Sequence, residues 1–250
     1  MRYFVEFSYD GKAYHGWQRQ PNATSVQHTL EEAMTTQLRT PVQLAGAGRT
    51  DTGVHARQMY AHFDMDLPLE TEEQVHRLNA FLPEDIAIQN IFQVNDKAHA
   101  RFDALERTYE YWVLQYKDPF YRDWAHYVHL PLDVEAMNKA ASLLLDHTNF
   151  ECFSKSKTDV KTYLCQLKKA QWTVDQGKLV FTITADRFLR NMVRAIVGTL
   201  LDVGLGKTTV ENVNSIIKSK DRGEAGVSVP AKGLYLTKIT YPKTLFDLNG

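Results

Sequence analysis

The sequence predicts an α+β protein of two ferredoxin-like βαββαβ halves forming a largely antiparallel sheet with a central cleft. Three observations predict it. Apolar residues recur with strand and helix periods in the order β, α, β, β, α, β; that order occurs twice; and no low-complexity linker separates the two occurrences. The halves are placed at residues 1–103 and 104–250, with the junction inside 98–106.

In the first half, Tyr3, Val5, Phe7 and Tyr9 alternate with Phe4, Glu6 and Ser8, the two-residue period of a strand. After the turn-rich stretch GKAYHGWQRQPNA, Thr24 and Gln27 have capping-box spacing, and Val26, Leu30, Met34 and Leu38 recur at helical intervals until Pro41. Residues 42–47 and 59–65 read as strands, the second with Met59, Ala61, Phe63 and Met65 on one side. A helix near 70–81 and a strand over 86–94 complete the half. In the second half, 107–114 alternates as a strand, and Val134, Met137, Ala141, Leu144 and Leu145 mark a helix. Residues 167–174 and 179–185 flank a turn containing Asp175 and Gly177, as in a hairpin. Val193, Ile196, Val197, Leu200 and Leu201 form a helical stripe. Thr208 with Glu211 caps a helix carrying Val210, Val213, Ile216 and Ile217, and a strand over 234–241 follows.

Of 250 residues, 44% are apolar and 24% charged, values of a folded globular chain rather than a disordered one. With 29 basic and 30 acidic side chains the net charge is -1, so a polyanionic partner has to be held by a local basic surface. Cys152 and Cys165 are too far apart for a C-x-x-C pair and read as small buried apolar residues of a reducing compartment. The opening MRYFVEFSYD sets Glu6 and Asp10 where a signal peptide needs an unbroken apolar core. No stretch approaches the roughly 18 apolar residues of a membrane span, so a cytoplasmic protein with no membrane partner is expected.

The segment GAGRTDTGVHA has three glycines in eight residues, which suggests a phosphate cradle. Both templates fail. A dinucleotide fingerprint from Gly46 would need glycine where Asp51 stands, and a Walker A reading from Gly48 would need lysine where Val54 stands. A strand follows instead of a helix, so no helix N-terminus meets the anion. The loop therefore presents a side chain: Asp51, between Thr50 and Thr52 with Arg49 beside it, stands where one carboxylate can be held exposed, although an Asp in such a loop more often forms a turn or a cap.

GRTDTGVHA is similar to the catalytic loop of the TruA-type tRNA pseudouridine synthases, in which the Asp is the essential carboxylate. YDGKAYHGWQRQ followed by SVQHTLEEA, then HARFDALERTYEYWV, FLRNMVRAIVGTLLDVG and PAKGLYLTKITY, resemble further blocks of that family in the family order. The resemblance implies two RNA-recognition-like halves with the active cleft between them. It also implies isomerisation of uridine to pseudouridine in the anticodon stem-loop at positions 38 to 40, with tRNA as partner and a homodimer in which each tRNA touches two subunits. Such a reaction needs no cofactor and no metal. The sequence has no H-E-x-x-H, paired-Cys motif or Walker lysine, and His126 with His129 alone makes a poor metal site.

Asp51 must be ionised to act as nucleophile or base, which a closed cleft disfavours by desolvation, so a cation has to compensate. The resemblance puts that cation at Arg194 in FLRNMVR, where a guanidinium can grip a carboxylate through two hydrogen bonds; Arg190 is the next candidate. Arg187 and Arg190 form a basic run suited to phosphate. Tyr109 in RTYEYW stands where the family contacts the target base, whereas Tyr111 reads as packing. The resemblance also implies that Arg49 fills the space left by the flipped base or binds the adjacent phosphate, and that Arg101 and Phe102 support the same cleft. Lys12 and Arg19, with the aromatics Tyr14 and Trp17, make a mixture suited to RNA backbone and loop contacts. Two other readings stay open: a non-catalytic RNA-binding or chaperone module, which would tolerate loss of Asp51, and a carboxylate-dependent nucleoside hydrolase, which would release free base. The intact GRTDTGVHA argues against the first, and the lack of an evident second catalytic carboxylate against the second.

Overall fold

The computed structural model describes residues 1–155 and 160–246. It divides into two compact units, Met1–Leu105 with the C-terminal stretch from Leu236, and Glu106–Tyr235. The first unit contains β1 (Arg2–Tyr9), α1 (Val26–Leu38), β2 (Ala45–Gly46), β3 (His55–Asp64), α2 (Thr71–Phe81) and β4 (Ile86–Val94). The second contains β5 (Glu106–Leu114), β6 (His126–Tyr127), α3 (Val134–Leu143), β7 (Leu167–Asp175), β8 (Lys178–Ala185), α4 (Met192–Gly204) and α5 (Val210–Ser219). Strand β9 (Leu234–Thr240) then leads into the first unit. The described residues thus form a mixed α and β protein with nine strands, largely antiparallel, and five α-helices.

In the first unit the strand order is β4-β1-β3-β9, with Val5 opposite both Ala61 and Ile91 in antiparallel register. Tyr3, Val5, Phe7 and Tyr9 are buried, as their alternation demands. Phe4 on the opposite face is fully buried too, because the rings of Tyr60, Phe92 and Tyr241 cover it. That face is therefore apolar at its centre rather than solvated. Helix α2 packs on β4, where the Asn79 side chain makes two 2.7 Å bonds to the backbone of Ile88.

The strand expected over 42–47 shrinks to the two residues of β2. Its backbone groups go to side chains of α1 instead: Val42 N donates to Thr35 Oγ1 at 3.0 Å and Leu44 N to Glu31 Oε1 at 2.9 Å, while Gln27 Nε2 donates to Leu44 O at 2.9 Å. Gln27 is thus not the partner of a capping box. The cap is Ser25, not Thr24, and its Oγ accepts from His28 N at 3.3 Å. Likewise Thr209, not Thr208, caps α5 by accepting from Asn212 N at 3.3 Å.

In the second unit β8 lies between β5 and β7, all antiparallel, and β6 adds a short parallel pairing to β5 that the sequence pattern does not reveal. Helix α3 packs on β7, α4 and α5, and Asn138 holds the backbone of Trp172 through both of its amide atoms. Helix α4 is buried on nearly every side, including Ile196, Val197 and Leu200, which makes it the central helix of this unit. Cys152 and Cys165 are buried free thiols, pushed by burial up to about 12 and about 11, so neither is a reactive thiolate.

His62 on β3 is only 7% exposed, and its Nδ1 accepts from Ala100 N at 3.2 Å. Burial, aided by Arg2 and the neighbouring His99 and opposed by Asp64 and Asp103, pulls its pKa down to about 4. The unfolded chain takes up this proton below about 6.5, whereas the fold resists it until about 4. Stability from this residue is therefore complete above pH 6.5 and is lost as pH falls towards 4, by about 2–3 kcal/mol. Urea unfolding at pH 7 and pH 4.5 should show that extra acid sensitivity in the parent and a smaller one in His62→Asn, whose amide oxygen can still accept from Ala100 N.

Candidate active site

The Asp51 loop joins β2 to β3 and is clamped by the turn that follows β1. Thr50 Oγ1 lies 2.9 Å from Tyr9 Oη and accepts from Trp17 N at 3.0 Å. Gly53 N donates to Tyr14 O at 3.2 Å, and Val54 N returns to Asp51 O at 3.1 Å, closing a turn on the carboxylate-bearing residue. The two backbones touch: a Cβ on Gly11 would stand 2.0 Å from Val54 O, and one on Gly16, whose φ is +85°, would stand 2.2 Å from Thr50 O. Only glycine permits that approach. Asp51 itself is half-buried and sits on this held backbone.

This clamp revises one expectation. Tyr14 and Trp17 are 5% and 3% exposed, and so are not RNA-contacting surface aromatics. Tyr14 Oη donates to Asp85 Oδ1 at 2.6 Å, and Trp17 stacks on Phe7 at 5.2 Å between ring centres. They hold the clamp from within. Lys12 on the same turn is exposed, as is Arg49 two residues before Asp51. Arg19 is exposed 3.6 Å from Glu31 and borders a cleft of about 570 Å3 over residues 19–24 and His28.

Arg101 and Phe102 project from a tightly bonded turn. Ala100 N is held by His62 Nδ1, His99 N by Asp103 Oδ2 at 2.7 Å, and Ala100 O by the Tyr241 hydroxyl at 2.6 Å. Phe102 is 75% exposed, rests its ring on His99 at 4.2 Å and lies 5.9 Å under the Arg101 guanidinium. An aromatic face and a cation are thereby offered to solvent on a rigid base, the combination that stacks on nucleobases.

In the second unit, Tyr109 sits on β5 opposite Ile183, half-buried, with its ring edge-on to Phe188 at 5.2 Å. Phe188 is a neighbour that sequence reasoning missed, although it opens the FLRNMVR block. Tyr111, two residues on, is fully buried and donates to Pro230 O at 2.8 Å, as a packing residue should. Arg194 lies in the first turn of α4, half-buried, with Nε donating to Val229 O at 2.7 Å while Val229 N donates back to Arg194 O at 3.2 Å. The 225–230 loop, also unforeseen, thus orients the guanidinium. Arg187 Nη1 contacts Thr162 O at 3.4 Å, and Arg190 is exposed with its carbonyl accepting from Lys155 N at 3.1 Å.

The same loop lies against α4 with no room between them. A Cβ on Gly198 would stand 1.9 Å from Val227 O, and Gly226 N donates to Thr199 Oγ1 at 2.9 Å. Gly198→Ala should lower stability by about 1–3 kcal/mol through overpacking. It should also cut turnover by up to about 10²-fold by displacing the support of Arg194. Thermal unfolding and single-turnover kinetics on this variant check both, and a parent-like enzyme would show that the loop can move without consequence.

Among the described residues, no group of three or more His, Cys, Asp and Glu is arranged to hold a metal ion, and no helix is long and apolar enough to cross a membrane. The Glu106–Tyr235 unit carries the half-buried ring of Tyr109 and the oriented guanidinium of Arg194, and the other unit, taken by itself, carries Asp51 on its clamped loop. A ring face can stack on a planar base, and a carboxylate can act as nucleophile or base.

A family model described as tRNA pseudouridine synthase matches residues 7–103 and 140–242. The chain is 51% identical to the tRNA pseudouridine synthase A of Parabacteroides distasonis over 249 residues, 99% of each chain. It is 51% identical to the protein of that name from Bacteroides thetaiotaomicron, covering 99% of this chain and 93% of that one. With the Bacillus subtilis protein of the same name the identity is 38%, over 96% of this chain and 99% of that one. Likeness of this extent, running through both units, shows that the chain belongs to the tRNA pseudouridine synthase family of isomerases.

Proposed function

We propose that this chain converts uridine to pseudouridine at positions 38 to 40 of the tRNA anticodon stem-loop, with Asp51 as the catalytic carboxylate. The observation that carries the reading is the clamp on Asp51, whose neighbours Thr50, Gly53 and Val54 are all tied down by hydrogen bonds. A backbone held so closely limits where the side chain it carries can go, which favours reaction. In the reaction the bond from N1 to C1' breaks, the base turns and C5 bonds to C1'. The C5 hydrogen leaves as a proton and N1 gains one, so atoms and electrons balance without redox carrier, metal or energy source. Asp51 acts as nucleophile or base, and Arg194 supplies the positive charge that its carboxylate needs. Tyr109 lies along the target base, with its hydroxyl available for proton transfer. Arg49, Arg101 and Phe102 bind the substrate around the flipped nucleotide, and Lys12, Arg19, Arg187 and Arg190 meet phosphates.

The proposed architecture is two RNA-recognition-like βαββαβ halves, 1–103 with the Asp51 loop and 104–250 with Tyr109 and the basic helix. The enzyme works as a cytoplasmic homodimer. The test is to map pseudouridine in uridine-containing tRNA, prefolded with a polyamine and incubated with pure protein in chelator. Pseudouridine confined to positions 38 to 40 supports the proposal. Modification confined to other positions, or a strict need for a protein-bound metal, overturns it.

A further inference from the structure

A second pocket, of about 330 Å3, lies in the Glu106–Tyr235 unit where residues 151–155 meet the C-terminal end of α5. Lys155, Lys220 and Arg222 line it, opposed by Glu151 and Asp221. Arg222 is locked, its Nη1 donating to Ala225 O at 3.1 Å and its Nη2 to Ser228 Oγ at 2.9 Å. Asp221 is turned to its own loop, with Oδ1 accepting from Gly223 N at 2.7 Å. Ser154, in the lining and only 3% exposed, has a hydroxyl with no hydrogen-bond partner among the described residues. An unmet buried hydroxyl is unfavourable, and an acceptor oxygen entering the pocket would relieve it.

We infer that this pocket is a backbone-phosphate subsite for RNA, in which Lys155, Lys220 and Arg222 supply charge and Ser154 donates a hydrogen bond. The inference rests on the RNA-substrate reading above. The chemistry favours a phosphodiester over a free phosphate: the cations come as two lysine point charges and one oriented arginine from separate segments, tempered by two carboxylates, and no helix N-terminus cradles the anion. A net of one positive charge suits one singly charged diester better than a dianion. The pocket also continues the basic surface already assigned to phosphate, since the backbone of Lys155 is bonded to that of Arg190.

The test measures tRNA affinity across a series of salt concentrations for the parent, Ser154→Ala, the double variant Lys155→Gln/Lys220→Gln, and Lys218→Gln as a control outside the pocket. The double variant should bind about three- to tenfold more weakly and lose about 0.7–0.9 from the salt slope per lysine, with an unchanged thermal midpoint. Ser154→Ala should weaken binding about twofold while the free protein melts no lower than the parent, because the lost hydroxyl has no partner among the described residues. Lys218→Gln should keep the parent slope. A parent-like slope in the double variant, or an equal change in Lys218→Gln, overturns the inference. Titration with inorganic phosphate separates the other source: binding of phosphate that the double variant loses, with tRNA affinity intact, also overturns it. Pseudouridine formation by the parent reads the proposed function independently, so either idea can fail without the other.

Discussion

Asp51→Asn is expected to stop pseudouridine formation while leaving tRNA bound. The amide keeps the volume of the carboxylate and one acceptor oxygen, and Tyr9, Tyr14 and Trp17 still hold the loop from the neighbouring residues. The loop should fold as before. What disappears is the reacting group itself, so the loss should exceed the roughly 10²- to 10⁴-fold of a single acid-base contribution. Affinity rests on phosphate and shape contacts spread over the chain and should change by less than about tenfold. Titration of tRNA and single-turnover yield on the same variant decide the matter. Near-parental turnover would refute the assignment, and a parallel fall of affinity and thermal midpoint would make Asp51 a structural turn residue.

The next largest effect is expected at Arg194, where two roles have to be separated: charge for the carboxylate, and support of the 225–230 loop through the Nε bond to Val229 O. Arg194→Met and Arg194→Lys both lose that bond, and only the second keeps a charge. Removing one electrostatic stabiliser typically costs about 10²–10³ in turnover, which is the loss expected for Met. Lysine restores a point charge without the planar fork, so Arg194→Lys should remain well below the parent yet at least about tenfold above Arg194→Met. Equal activities of the two variants would assign Arg194 to holding the loop alone.

The strands and helices with unbroken periodicity were legible in the sequence. Tyr3, Val5, Phe7 and Tyr9 alternate because one face of β1 is core, and the stripe of α4 marks a helix because its apolar residues leave no solvated side. Where the sequence misleads, partners distant along the chain decide. The strand before Ala45 is replaced by bonds from Thr35 and Glu31, the latter 13 residues back, which no local pattern encodes. Tyr14 and Trp17 sit in a polar, glycine-rich turn and read as surface residues. Asp85, 71 residues from Tyr14, and the ring of Phe7 draw them inside. The capping residues shift by one position because Thr24 and Ser25, like Thr208 and Thr209, are adjacent hydroxyls with equal local claims.

The site shows the same division. Asp51 stands out in the sequence only through the nine-residue likeness of GRTDTGVHA, since a single Asp in a Gly- and Thr-rich loop is chemically indistinguishable from a turn residue. The support of Arg194 by Val229 was not legible, because it joins residues 35 apart through a backbone carbonyl. The buried hydroxyl of Ser154, without a hydrogen-bond partner among the described residues, likewise exists only in three dimensions.

The most direct test of the central claim, a carboxylate-dependent isomerisation that keeps the base on the RNA, uses tRNA carrying tritium at C5 of uridine. Bonding of C5 to C1' must expel that hydrogen, whereas hydrolysis would release the base with its label intact. Prefolded labelled tRNA is incubated with parent and Asp51→Asn in chelator, and released tritium, pseudouridine and free uracil are counted together. The expected result is one tritium in water per pseudouridine formed by the parent, no free uracil, and no release from Asp51→Asn. Free labelled uracil, or equal tritium release by the two proteins, would contradict it.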